Sequence, residues 1–173
     1  MPALRRLYLL RHAKSSWDEP GLYDHDRPLA PRGHRAVGAL ARHVKADGIQ
    51  PALVLCSSAR RARETLEGLG VDGRISIEPE LYSANVDQLL ARLWQIPDQT
   101  SSAMVVGHNP TLQILVLRLA CSSAGSDGQA ALEAVRHKFP TGALATLSFE
   151  CPWRQLSAGS AELVGLVRPK DLH

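Results

Sequence analysis

Cysteine is scarce in this chain of 173 residues: Cys56, Cys121 and Cys151 form an odd and scattered set with no C-x-x-C pair. That excludes a disulfide framework and points to a reducing compartment. Long apolar runs are also missing, and nothing approaches the roughly 20 residues of a membrane span. The opening MPALRRLYLLRH offers only four apolar residues before a charge, too few for a signal-peptide core, so a cytoplasmic protein is expected. Aromatic residues make up 5% of the chain, and the arginines are spread rather than clustered. The net charge of +3 therefore fits an ordinary surface or a site for an anionic substrate better than a nucleic-acid face. No internal repeat, linker or low-complexity tract divides residues 1–173, which read as one domain. With 45% hydrophobic residues, such a domain is large enough to bury about 70% of its unfolded surface.

What the sequence does have is an alternation of short apolar runs with helical periodicity. Strands are expected at residues 7–10, 53–56, 74–77, 103–106, 143–149 and 161–167, the last two including an antiparallel edge. Helices are expected from Pro31 to the stop at Gly48, over 59–69, over 86–94, and over the nearly all-apolar TLQILVLRLA, which should be well buried. Residues 15–29 read as a polar, turn-rich loop, and SSAGSDGQ from Ser122 as a flexible loop with a poorly determined helix after it. The fold class is α/β, a three-layer sandwich around a largely parallel central sheet.

Three of the strands run straight into Arg, His or Ser: Arg11-His12 after the first, Ser57 to Arg61 after the second, Gly107-His108 after the fourth. In a parallel sheet the carboxyl ends share one edge, where ligands bind. A pocket of two arginines and two histidines with no carboxylate among them suits a phosphoryl group. Taken alone, an Arg-His dipeptide is more often a surface or structural feature. The two histidines also fit a metal site, but neighbouring arginines repel a divalent cation, and neither has Cys, Asp or Glu at ligand spacing. The expectation is no metal. The "DHD" at 24–26 resembles a two-aspartate nucleophile motif, but it follows a turn-rich loop rather than a strand and reads as solvated. Solvent exposure is likewise the default for His25, His34, His43, His137 and His173.

With these residues in hand, the chain resembles the histidine phosphatase superfamily, the phosphoglycerate-mutase-like fold, and most closely its small SixA-like phosphohistidine phosphatase branch. LLRHAKSS resembles the R-H-G/A signature, CSSARRARET the S-x-x-x-R-A-x-x-T segment, VVGHNP the second-histidine motif, DRPLAPRG the R-P-L-T-x-x-G run, and FPTGALATLSF a late strand of that branch. The resemblance implies that His12 is the residue phosphorylated, that Arg11, Arg61 (rather than Arg60) and Arg27 bind phosphate, and that His108 is the second histidine. It further implies a monomer that needs no cofactor, acts on a phosphohistidine-containing protein and releases inorganic phosphate. A histidine nucleophile must be neutral, and neighbouring guanidinium groups favour that form.

The chain departs from the wider family in two places. Ser83 of PELYSAN stands where many relatives have an acidic general acid, with Glu80 nearby as a candidate substitute, and Asp18 replaces the asparagine six residues after the nucleophile. The long cap insertions of larger relatives are missing too, which leaves a site open to a protein surface. Two other readings remain: a small-molecule phosphomonoesterase using an acid such as Glu80, and a non-catalytic basic module binding nucleic acid or a phosphorylated partner. The intact nucleophile argues against the second. Whether Lys14 and Trp17 shape specificity is left open by the sequence.

Overall fold

A computed structural model describes residues 3–122 and 125–172. Eleven main elements follow in order: β1 (Arg5–Arg11), α1 (Pro31–Ala46), β2 (Leu53–Ser57), α2 (Arg60–Leu69), β3 (Arg74–Glu78), α3 (Val86–Trp94), β4 (Ser102–Gly107), α4 (Thr111–Leu119), α5 (Ser126–His137), β5 (Leu144–Phe149) and β6 (Glu162–Val167). They form one sheet in the order β3-β2-β4-β1-β5-β6. The first four in that order run parallel, and β5 is antiparallel to both β1 and β6. The reversed strand is therefore second from the edge, and β6 on the edge itself runs with β1.

Strand alternation sorts the core into two faces. Leu7, Leu9, Leu55 and Val105 pack with Leu89, Leu93, Leu115, Leu119 and Leu132 of α3, α4 and α5. Tyr8, Leu10, Val54, Cys56, Met104 and Val106 pack with Leu40, Val44, Ala62, Leu66 and Leu69 of α1 and α2. The result is the expected three layers. The middle of a central strand is buried on both faces and so must be apolar, which is why Leu7 to Leu10 of β1 and Ala103 to Val106 of β4 read as hydrophobic runs.

Local signals set the helix boundaries. Pro31 opens α1 at its first position, and Asn85 and Gln88 form a reciprocal capping box at the start of α3. Two expectations need correction. The helix α5 begins at Ser126, inside the segment expected to be loop, because Leu132 and Val135 find buried places that outweigh the weak helix formers at its start. Ser123 and Ala124 of that segment lie outside the described residues. In α4, Leu112, Leu115, Val116 and Leu119 are buried but Ile114 is 42% exposed, so one side of the apolar helix faces solvent.

Register delivers the carboxyl ends to one edge. Arg11 pairs with Gly107 and Cys56 with Val106, so the residues that follow, His12, His108 and Ser57, emerge side by side. The connections leaving the adjacent strands β1 and β4 go to opposite faces, α1 to one and α4 to the other, which opens a crevice between them. Because β5 is reversed, its amino end, preceded by residues 139–142, reaches the same edge.

Candidate active site

Arg11 is the last residue of β1 and His12 the first beyond it, and the His12 backbone N–H donates to Gly107 O at 3.1 Å. Two further contacts lock this turn. Thr65, fully buried on α2, accepts from Ala13 N at 3.0 Å while donating to Arg61 O, and Gly142 N donates to both Arg11 O and His12 O at 3.0 Å. Gly142 has φ +78°, and a Cβ there would lie 2.8 Å from Pro169 Cγ, so both conformation and space call for glycine.

His12 is 7% exposed, and its ring Nδ1 lies 2.7 Å from Ala13 O. A carbonyl can only accept, so Nδ1 carries the proton and Nε2 presents its lone pair. Arg61 Nε donates to that Nε2 at 3.4 Å. Burial first, then the charges of His108, Arg61 and Arg11, push the His12 pKa down to about 3. His108 stands beside it with ring centroids 5.2 Å apart, and its Nε2 shares a 2.8 Å hydrogen bond with Ser57 Oγ. Burial and then Arg61 bring His108 down to about 4. Both rings are neutral at pH 7.

The arginines converge from three segments. Arg11 donates from Nη1 to Phe139 O at 3.0 Å, while its buried Nε has no hydrogen-bond partner, an orphan donor of the kind an anion would satisfy. Arg61, in the first turn of α2, is 7% exposed and points inward, whereas Arg60 lies on the surface against Glu64 at 3.3 Å. Arg27 is also 7% exposed. Its loop is pinched back toward the nucleophile by a bridge between Ser15 and Leu29 and by Ala30 N donating to Lys14 O. Gly33 permits this pinch, since a Cβ there would meet Lys14 O at 2.2 Å. Arg27 Nη2 donates to Ser15 Oγ at 2.7 Å, Nε donates to Ser16 O, and its guanidinium stacks on Trp17, 3.2 Å from the ring centroid.

The "DHD" turn is solvated as expected, with the Asp24 side chain 48% exposed, but Asp24 is nevertheless tied to the site's arginines, a tie not expected from the sequence. Asp24 is in a 3-10 turn (Asp24–Asp26) and accepts from Arg27 Nη1 and Arg61 Nη2 at 3.0 Å each and from Tyr82 Oη at 2.6 Å. Its backbone carbonyl also accepts from Arg61 Nη1 at 2.8 Å. The Tyr82 hydroxyl, followed by the two guanidinium groups, holds Asp24 well below the usual carboxylate range. His25, expected to be exposed, is instead half-buried, with Nε2 2.8 Å from Ser58 Oγ and its ring edge-on to Tyr82. His34 and His137 are exposed, His43 is half-buried near Asp47, and His173 lies outside the described residues. The signal for Asp24 was its place three residues before Arg27, across a tight turn. Tyr82 gave no comparable signal.

Ser83 lines a cavity next to His108, whereas Glu80 is exposed and lines a neighbouring pocket with Glu78 and Arg92. Asp18 is exposed, its N–H turned to Ser16 Oγ. Among the described residues no three His, Cys, Asp or Glu side chains gather as a metal cluster, and no helix is long and apolar enough to cross a membrane.

Known proteins resemble this chain along nearly its whole length. An uncharacterized protein of Mycobacterium tuberculosis is 38% identical over 161 residues, covering 93% of this chain and 100% of its own length. A SixA protein of Nakamurella multipartitia, described as a candidate phosphohistidine phosphatase, matches in structure with a TM-score of 0.84 at 34% identity, covering 98% of this chain and 99% of its own. The corresponding SixA protein of Agrobacterium tumefaciens matches with a TM-score of 0.76 at 30% identity, over 98% and 99% of the two chains. The family model for the histidine phosphatase superfamily (branch 1) matches residues 7–99. With its phosphoglycerate-mutase-like sheet and strand-end Arg-His pair, the chain belongs to the histidine phosphatase superfamily and, within it, to the SixA-like branch.

Proposed function

We propose that this protein is a phosphohistidine phosphatase that hydrolyses a phosphohistidine on a partner protein through a phosphorylated His12. The observation that carries this reading is the single available lone pair of His12: Nδ1 is committed to Ala13 O, and Nε2 faces the Arg61 guanidinium. In the first step Nε2 attacks phosphorus, and the P–N bond to the substrate imidazole breaks with its electron pair going to that nitrogen, which takes a proton from water. In the second step water attacks phosphorus, the bond to His12 Nε2 breaks, and inorganic phosphate leaves with His12 restored as neutral base.

The guanidinium groups of Arg11, Arg61 and Arg27, with His108 as hydrogen-bond donor, bind the phosphoryl oxygens and stabilise the charge developing on them, so the reaction needs no cofactor. The SixA relatives' description supports the substrate class. So does the chemistry of the leaving group. An alkoxide needs a positioned acid, worth about 10² to 10⁴ in rate. Here Asp24 is held ionised and Glu80 lies in another pocket. An imidazole departs without one. The protein acts in the cytoplasm as a monomer of one domain.

The test is kcat/KM for a phosphohistidine protein against 3-phosphoglycerate and an aryl phosphate. The expected order is phosphohistidine and aryl phosphate well above 3-phosphoglycerate. Comparable values, with the 3-phosphoglycerate activity lost in Glu80→Gln, would favour the small-molecule phosphatase.

A further inference from the structure

A cavity of about 200 Å³ opens between the 3-10 turn Pro79–Tyr82 and the first turn of α4, and His108 forms part of its wall. It differs from the rest of the site in one respect: none of its lining residues is Asp, Glu, Lys or Arg. The adjoining pocket, by contrast, carries Glu78, Glu80 and Arg92. A phosphate ester whose leaving group bears a carboxylate would bring that charge to a wall that offers no cationic side chain to pair with it. A neutral group needs no such partner.

Two of the lining rings, His108 and Tyr82, stand in a longer row whose ends, His12 and His25, lie outside the cavity lining. The rings of His12, His108, Tyr82 and His25 follow one another at centroid separations of 5.2, 5.7 and 4.9 Å, the last two pairs edge-to-face at 76° and 88°. This row leads outward from the nucleophile, and its geometry is the one that flat rings adopt among themselves. Tyr82 is fixed at its far end, where the hydroxyl donates to Asp24 at 2.6 Å, so the ring is set in place before any ligand arrives.

We infer that this cavity is the leaving-group subsite, that it accepts a neutral flat ring such as the imidazole of the substrate histidine, and that Tyr82 is the specificity-determining wall. The inference rests on the phosphohistidine reading and deepens it, because it assigns discrimination between P–N substrates to a ring that touches the departing group and not to the phosphate ligands.

Phosphoimidazole and phosphoramidate contain the same kind of P–N bond, with and without a ring, and neither leaving group carries a carboxylate. The experiment compares the ratio of their kcat/KM values in wild type, Tyr82→Phe and Tyr82→Ala, a ratio that cancels any loss of folded enzyme. A ring contact of ordinary strength predicts that the ratio falls about five- to tenfold in Tyr82→Ala and stays within about twofold of wild type in Tyr82→Phe. An unchanged ratio in Tyr82→Ala would overturn the inference, as would an equal fall in Tyr82→Phe, which would assign the effect to the hydroxyl on Asp24. Wild-type enzyme that cleaves an aryl phosphate but neither P–N compound would overturn the phosphohistidine reading itself, a result distinguishable from an unchanged ratio.

Discussion

Arg61 Nε lies 3.4 Å from His12 Nε2, and the other nitrogen of that ring is 2.7 Å from Ala13 O. A donor on one side and an acceptor on the other leave the imidazole a single tautomer, protonated on Nδ1. Long-range 1H–15N spectra of the free protein at pH 6 should therefore show His12 as the neutral Nδ1–H form. An Nε2–H tautomer or an imidazolium at that pH would contradict the arrangement.

The same environment makes folding sensitive to acid, with a definite sign. His12 is lowered to about 3 and His108 to about 4, against 6.5 for an unperturbed histidine. Between those values the unfolded chain binds more protons than the folded one, so stability is fully present above pH 6.5 and is lost as pH falls through the window toward 3. Each buried ring contributes on the order of 1.4 kcal/mol per pH unit there. Urea unfolding at pH 7 and pH 5 should show a smaller loss in His12→Asn than in wild type. Equal losses would show that His12 is not the group being titrated.

Arg61 and Arg60 are neighbours in sequence with opposite environments, one buried against His12 and Asp24 and the other paired at the surface with Glu64. Arg61→Ala should lower kcat/KM by about 1.5 to 3 kcal/mol or more, the worth of a charge-assisted contact to phosphate. Arg60→Ala should change it little, because an exposed helical pair contributes only about 0.3 to 0.5 kcal/mol, and that to stability. Greater damage in Arg60→Ala would reverse the assignment.

The layers of the fold were legible because burial on both faces forces apolar runs into β1, β2 and β4, and because a strand ending in Arg or His announces itself against such a run. The reversal of β5 was only half legible. Alternation cannot tell whether a reversed strand sits at the edge or is covered by another, as β6 covers β5. Gathering Arg11, His12, Arg61 and His108 at one edge needed only the parallel topology. Asp24 was missed because its part in the site depends on the pinch at Ser15, Leu29 and Gly33, a contact between loop and helix that has no period in the sequence. Thr65 stood inside a recognised segment, yet its bond to Ala13 N, 52 residues away, is visible only in three dimensions.

Asp24 invites the opposite reading, that it is the missing acid. Its hydrogen bonds from Tyr82, Arg27 and Arg61 all favour the ionised form, which has no proton to give. It is a positioning residue, and Asp24→Asn should lower kcat/KM on phosphohistidine and aryl phosphate alike, by roughly tenfold, without moving either limb of the pH profile. A collapse confined to alkyl phosphates, with loss of the basic limb, would identify Asp24 as a general acid.

The central claim is that His12 becomes phosphorylated, and rapid acid-free quenching of a turnover reaction with labelled substrate tests it most directly. Wild-type protein should retain phosphate that is labile to acid and stable to base, located on His12, and His12→Ala should retain none and be inactive. Equal turnover by His12→Ala, or label on another residue, would contradict the account.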